Sequence, residues 1–262
     1  MRDIEKEIQK NLSEIEIKHN VRILYAVESG SRAWGFASPD SDYDVRFIYV
    51  QKFEDYIRID PGKDVIEWQL DEVLDINGWD LKKALLAFAK GNPNVMEWAN
   101  SPIVYRRAEE WACFDKVIRQ FFSEKASICH YYGTANSTYH GFLMGDKVKY
   151  KKYLYALRSL LCCRWIEKNH SIPPMKFEEL LTLFDGTQEE LNDELLKAIE
   201  LLLKRKTVTV EGELNEHIPE IIDFIKRELP RQKEISDAMA DDREKDYSRI
   251  NELFFDVLKK RI

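Results

Sequence analysis

Apolar and polar positions alternate in two regimes along this chain. In residues 4–17 the isoleucines and Leu12 recur at helical spacing among charged side chains, which predicts a charged amphipathic helix. Residues 21–28 (V-R-I-L-Y-A-V-E) are rich in β-branched and aromatic side chains and predict a strand. Residues 29–40 carry glycine, serine and proline and read as a turn, a short helix and a loop. A second strand is predicted at 42–50 (D-Y-D-V-R-F-I-Y-V), then a hairpin from 65–70 and 73–76 around Asp71-Glu72. Residues 78–90 predict a helix with Trp79, Ala84, Leu85 and Phe88 on its apolar face and Gly91 as terminator.

Beyond residue 108 the period-2 signal fades. Helical patterns run through 109–122, 124–143, 147–169, 177–184, 189–206, 216–229 and 244–260. Only Thr207 to Val210 (T-V-T-V) has strand composition, in a stretch too short to define a sheet. Neither a repeat nor a low-complexity tract interrupts the pattern. The expected organisation is an α+β protein: an N-terminal mixed-sheet domain over residues 1–108, then a helical domain over 109–262.

Composition narrows the classes of function. Forty Lys and Arg against 47 Asp and Glu give a net charge of -7, which excludes an overall basic coat but not a local basic groove. Apolar runs such as Leu201-Leu202-Leu203 are far shorter than the roughly 20 residues a membrane span needs. The charged start Arg2-Asp3-Ile4-Glu5-Lys6 lacks an apolar signal region, so a cytoplasmic protein is expected. The four cysteines show no Cys-x-x-Cys spacing, and Cys162-Cys163 sits in an apolar helical stretch, so they read as structural thiols.

Chemistry concentrates between residues 30 and 46. After the strand ending at Glu28, Gly30-Ser31 opens a short helix. Glycine permits close approach to an anion, and exposed N–H groups with a serine hydroxyl can hold phosphate oxygens. Eleven residues beyond Ser31 comes Asp42-x-Asp44 at a strand start, with Arg46 two residues further on. Alternation puts both carboxylates on one face, with Arg46 beside them. Carboxylates held that close repel unless a cation lies between them, and one or two carboxylates plus substrate phosphate suit Mg²⁺. Taken singly, Gly-Ser is an ordinary helix cap and Asp-x-Asp after Ser-Pro-Asp-Ser is ordinary turn chemistry. Their joint spacing carries the argument.

This arrangement resembles the DNA polymerase β-type nucleotidyltransferase superfamily. The fuller set is similar to a branch of predicted bacterial and phage nucleotidyltransferases that includes members encoded beside RNA-ligase repair genes. It comprises Gly30-Ser31-Arg32-Ala33-Trp34-Gly35-Phe36, Ser41-Asp42-Tyr43-Asp44-Val45-Arg46, Asp75-Ile76-Asn77-Gly78-Trp79-Asp80-Leu81, Gly91-Asn92-Pro93, Glu97-Trp98, Ser101-Pro102-Ile103 and Lys151-Lys152-Tyr153-Leu154-Tyr155-Ala156-Leu157-Arg158. The resemblance spans roughly residues 22–170. It implies a nucleotidyltransferase domain followed by a helical substrate-binding domain. It also implies Mg²⁺ (or Mn²⁺) held by Asp42, Asp44 and a third acid, and nucleotide contacts from Gly30, Ser31, Arg32, Arg46, Lys151 and Arg158.

Two acids qualify as the third carboxylate: Asp75 in Leu74-Asp75-Ile76 and Glu67 in Ile66-Glu67-Trp68. Asp75 is preferred, because relatives with a hairpin here place the acid just before a helix. In the helix from Lys147, the residues Leu154, Leu157, Leu161 and Trp165 form a narrow apolar stripe, with Lys147, Lys151 and Arg158 beside it. That row either reaches a phosphate or lays its stems over the seam. His130 and His140, among Tyr131, Tyr132, Asn136 and Tyr139, either pack or line a base pocket. The expected reaction moves a nucleoside monophosphate from a nucleoside triphosphate, ATP among the candidates, to an acceptor hydroxyl and releases pyrophosphate. An RNA 3′ end is the favoured acceptor and a protein side chain the competitor. The alternative is an inactive module of the same fold that binds nucleotide or RNA.

Overall fold

The computed structural model describes residues 3–39, 41–60, 62–69, 73–206 and 213–260. Helix α1 (Ile4–His19) starts where the Asp3 carboxylate accepts from the Lys6 N–H and stops at Asn20, whose φ of 52° is left-handed. There follow β1 (Arg22–Glu28), a single helical turn α2 (Gly30–Ala33), β2 (Tyr43–Val50), α3 (Phe53–Ile57), β3 (Val65–Gln69) and β4 (Leu74–Asp80). Then come α4 (Leu81–Ala89), α5 (Pro93–Ala99), β5 (Val104–Arg107) and α6 (Trp111–Ile118). The sheet order is β3-β4-β2-β1-β5. Only β2 and β4 run parallel, so the sheet is mixed and the fold α+β.

The apolar half of each strand decides where the polar half goes. Val45, Phe47 and Tyr49 of β2 and Leu74 and Ile76 of β4 are buried in one cluster with Ile8, Leu12 and Ile15 of α1. Burying each of those α1 side chains contributes up to roughly 1.5–3 kcal/mol. Period-2 geometry then sends Asp44, Arg46 and Asp75 to the opposite face. The functional candidates are thus placed by the hydrophobic ones.

Two compact units emerge. The first comprises residues 1–33, 42–122 and 243–262, and the second 34–41 and 123–242. Their bounds differ from the expected break after residue 108 in three ways. Helix α6 packs with α4, and its Trp111 stacks on Tyr25 of β1 with centroids 4.5 Å apart, so the helix belongs with the sheet. The last helix, α12 (Ser248–Lys259), also packs with α4 and α6. The segment 34–41 is held in the second unit, where the Trp34 carbonyl accepts from the Phe177 N–H at 2.8 Å.

The second unit contains α7 (Glu124–Phe142), β6 (Lys147–Val148), α8 (Tyr150–Asn169), α9 (Phe177–Leu180), α10 (Asp193–Lys206), β7 (Asn215–Glu216) and α11 (Pro219–Ala238). Helix α8 is its axis. Rather than one narrow stripe, buried residues surround it, from Tyr153 and Leu154 to Cys162, Cys163 and Ile166, while Trp165 is only half-buried. Arg164 is buried too, which requires a partner: its guanidinium meets Glu228 of α11 at 2.5 and 2.7 Å.

Two expectations change. The predicted helix at 78–90 begins only at Leu81, because Gly78 continues β4 opposite Phe47, whose ring lies where a Cβ would project. Asp80, accepting from the Lys82 N–H, is the true cap. Residues 147–148 pair with 215–216 as a two-stranded ladder, so strands are not confined to the first 107 residues. The T-V-T-V segment at 207–210 lies outside the described residues, as does the Asp71-Glu72 turn. No helix among the described residues is long and apolar enough to cross a membrane.

Candidate active site

The parallel pairing of β2 with β4 sets Asp44 directly opposite Asp75. Between them lies Arg46, whose Nη2 is 3.0 Å from Asp44 Oδ1 and 2.8 Å from Asp75 Oδ2. Its Nη1 also donates to the carbonyls of Val45 and Asp75, so the guanidinium is held by backbone as well as by charge. The cation that two facing carboxylates demand is here supplied by the chain itself. Expected beside the acids, Arg46 lies between them and bridges them.

The turn after β1 closes on the same carboxylate. Gly30 has φ +59°, and a Cβ built there falls 2.1 Å from Asp44 Oδ2. Glycine therefore serves two needs at this position, a left-handed backbone and direct approach to the acid. The Ser29 N–H donates to the Asp44 carbonyl at 2.8 Å, fixing turn to strand. Ser31 is buried, and its Oγ has no hydrogen-bond partner among the described residues. A buried hydroxyl without a partner costs about 1–3 kcal/mol, an expense expected where a ligand completes the bond.

Arg32 and Asp42 sit at the margin. Arg32 Nε donates to the Asp42 carbonyl at 2.9 Å, and its guanidinium carbon stands 3.6 Å from the Tyr43 ring centroid. Asp42 immediately precedes β2 and is half-buried; the Arg46 bridge does not include it. Glu67 lies on β3, opposite Asn77 of β4, so a whole strand separates it from β2. It is exposed and lines a hollow of about 550 Å³ with His19, Tyr49 and Asp64. Lys151 and Arg158 belong to the second unit. Arg158 is buried there, its guanidinium 4.4 Å from the Trp34 ring centroid and 3.5 Å from the Met175 carbonyl. Lys151 is half-buried, near the Tyr155 ring.

One member of the site escaped sequence reasoning. Glu28, the last residue of β1, is fully buried, and its Oε1 accepts from the Asp44 N–H at 2.8 Å. Its Oε2 accepts from the Tyr105 hydroxyl at 2.5 Å. Burial pushes the carboxyl up to about 7, against the pull of these two donors, and the nearby Asp44 charge adds to the rise. The Tyr105 hydroxyl is raised too, by burial and then by Glu28. The signal available was an acid closing an otherwise apolar strand immediately before the Gly-Ser turn.

This geometry can be set beside known proteins. The profile of the RNA repair pathway DNA polymerase beta family (RlaP) matches residues 4–256. The chain belongs to this family. Membership supports nucleotidyl transfer as the class of reaction. The Bacillus subtilis (strain 168) protein YcgL, described as uncharacterized, is 41% identical over 258 residues, covering 98% of this chain and 97% of its own. A nucleotidyltransferase-like protein from Exiguobacterium sibiricum 255-15 aligns with 98% of this chain and 80% of its own, at 12% identity and a TM-score of 0.32, a loose superposition.

Divalent metals are general in the superfamily to which RlaP proteins belong, and the donors here can be tested against one. Among the described residues no three His, Cys, Asp or Glu side chains converge as a ready-made cage. Mg²⁺ does not require one: it takes one or two protein carboxylates and completes its shell with water and phosphate. Asp44 and Asp75, in paired register, meet that requirement, and the unpartnered Ser31 hydroxyl lies in the helical turn next to Gly30. The residues fit the ion.

Proposed function

We propose that this chain transfers a nucleoside monophosphate from a nucleoside triphosphate to an acceptor hydroxyl, an RNA 3′ end in preference to a protein side chain, releasing pyrophosphate. The observation that carries the reading is the contact of the Gly30 turn with Asp44, itself paired with Asp75. It brings anion-binding backbone and carboxylates to one point. The RNA preference rests on the family to which the chain belongs.

The acceptor oxygen forms a bond to the α-phosphorus as the bond from that phosphorus to the bridging oxygen of pyrophosphate breaks. Gly30 and Ser31 hold the departing phosphates through backbone N–H groups and the Ser31 hydroxyl. Asp42, Asp44 and Asp75 would hold Mg²⁺, which supplies charge neutralisation at the reacting phosphate when bound. The Asp75 carboxylate, nearly half exposed, takes the acceptor's proton. Arg32 orients Asp42 through its carbonyl, and Glu28 orients Asp44 through its N–H.

Incubation with α-labelled triphosphates, Mg²⁺ or Mn²⁺, and either pooled RNA or purified protein acceptors tests the reading. Label is expected on RNA 3′ ends, and is expected to vanish in Asp44→Asn. Label on nothing, with folded protein and every acceptor, would overturn it. The Arg46 bridge favours a second reading, a nucleotide- or RNA-binding module in which the internal cation has replaced the external one. Triphosphate binding without transfer, unchanged by Mg²⁺, is the outcome that reading requires.

A further inference from the structure

The corner between α7 and α8 has features that the reaction above does not use. Phe142, the last residue of α7, leaves 53% of its surface in solvent, and Met144 leaves 65%. Lys152 Nζ stands 4.0 Å from the Phe142 ring centroid, so a cation already lies against the aromatic ring. Between them in sequence are Lys147 and Lys149, both exposed. Lysines thus stand at 147, 149, 151 and 152 in a chain whose net charge is -7. Local positive charge on an acidic protein marks what that surface attracts.

The patch continues into a hollow of about 350 Å³ in the same unit, lined among others by Tyr139, Met144, His217 and Lys226. Its wall is braced. His217 Nε2 donates to the Gly145 carbonyl at 2.7 Å, so its Nδ1 accepts from the Tyr153 hydroxyl at 2.5 Å. The β6–β7 ladder holds Lys147 opposite Glu216, 3.5 Å away. Besides Glu216, Asp146 and Asp223 lie nearby, and neither pairs with Lys149 or Lys226 in a described ion pair.

We propose that this corner binds single-stranded RNA, with bases stacked on Phe142 and Tyr139 and phosphates tracked by Lys147, Lys149 and Lys226. The inference rests on the RNA-acceptor reading and adds the surface that would recognise the strand. The exposed Phe142 ring and the half-buried Tyr139 ring, interleaved with cations, are what unpaired bases on a charged backbone require, and a duplex offers no free base faces. An acidic peptide would use the cations and leave Phe142 idle.

The test is fluorescence anisotropy with a labelled 12-nucleotide RNA, without nucleoside triphosphate, over a salt series. Phe142→Ala, an exposed position that threatens no core, is expected to weaken binding on the order of tenfold, the loss of one stacked base. The double variant Lys147→Gln/Lys149→Gln is expected to flatten the dependence of log affinity on log salt by about 1.4, roughly 0.7 per lost phosphate contact. Wild-type affinity in both variants, equal binding of a duplex, full competition by polyglutamate, or no RNA binding at all would each overturn the assignment. The transfer assay separates the two readings. Variants that bind and label RNA as wild type does remove the patch and leave the transferase. A wild type that binds RNA through Phe142 yet labels none removes RNA as acceptor and leaves the patch.

Discussion

Replacing Gly30 by alanine separates what the turn does for the fold from what it does for the site. At φ +59° an L-residue carries a cost of about 1–2 kcal/mol relative to glycine. In a protein of this size that lowers the melting midpoint by roughly 2–8 °C. The added methyl also lies 2.1 Å from Asp44 Oδ2, where ordinary contact begins near 3.4 Å, so the carboxylate must give way by about 1 Å. A carboxylate end moves easily, and the collision adds little to the stability cost. Catalysis is less forgiving: a misplacement of about 1 Å commonly costs on the order of 100-fold in rate. The expected result is a folded, slightly less stable protein whose transfer of labelled monophosphate falls by about two orders of magnitude. Circular dichroism melting and single-turnover transfer measure the two terms. If Gly30→Ala melts and transfers as wild type does, the turn does not position Asp44 and the site is assembled differently.

The other expectations follow from the same cluster. Glu28 has its carboxyl raised from the ordinary 4.5 to about 7, so above pH 4.5 the unfolded chain loses this proton before the folded one does. Stability of metal-free protein should fall as pH rises from about 4.5 to 7, by roughly 3 kcal/mol at most, and then level off; Glu28→Gln should flatten that stretch of the melting profile. Arg46→Met leaves Asp44 and Asp75 facing each other without their cation, so the metal-free variant should lose on the order of 1 kcal/mol. Mn²⁺ should restore its melting midpoint more than it raises that of wild type, and unchanged melting with and without Mn²⁺ would argue against the bridge. Asp75→Asn should lower transfer about 100-fold, as loss of a metal-site group does, whereas Glu67→Gln on the far strand should leave the rate near wild type. The reverse pattern would move the third acid to β3.

How much of this was visible in the order of residues depends on the range of the interaction. Strands β1 and β2 and helices α1 and α7 follow from local periodicity, and so does the α+β class, because each buries one face against the rest. Asp42, Asp44 and Gly30 stood out because turn and strand residues lie near one another in the chain. The end of β4 did not. Gly78 and Trp79 look like the start of a helix, and only the Phe47 ring, thirty-one residues earlier, explains why glycine is needed in a strand there. Likewise α6 and α12 carry helical patterns that say nothing of which core they join, so a boundary drawn at residue 108 misses both.

The same distinction governs the charges. An acid two residues from Gly30 reads as a strand end, and nothing in V-R-I-L-Y-A-V-E shows that Glu28 is buried or that Tyr105, seventy-seven residues away, donates to it. Arg46 was visible as a cation near two acids, but its role turns on register. Parallel pairing puts Asp75 opposite Asp44 and within reach of one guanidinium; slipping β4 by one residue would turn Asp75 to the other face and leave Arg46 with Asp44 alone. Within this cluster the metal-free charge balance is therefore a property of topology. If the proposed function holds, a triphosphate with its cations approaching Asp44 and Asp75 would have to compete with a resident guanidinium held by two carbonyls as well as two carboxylates. On that proposal a cation that took the two carboxylates would release Arg46 beside the phosphates, and the bridge and the nucleotide contact would be two states of one residue.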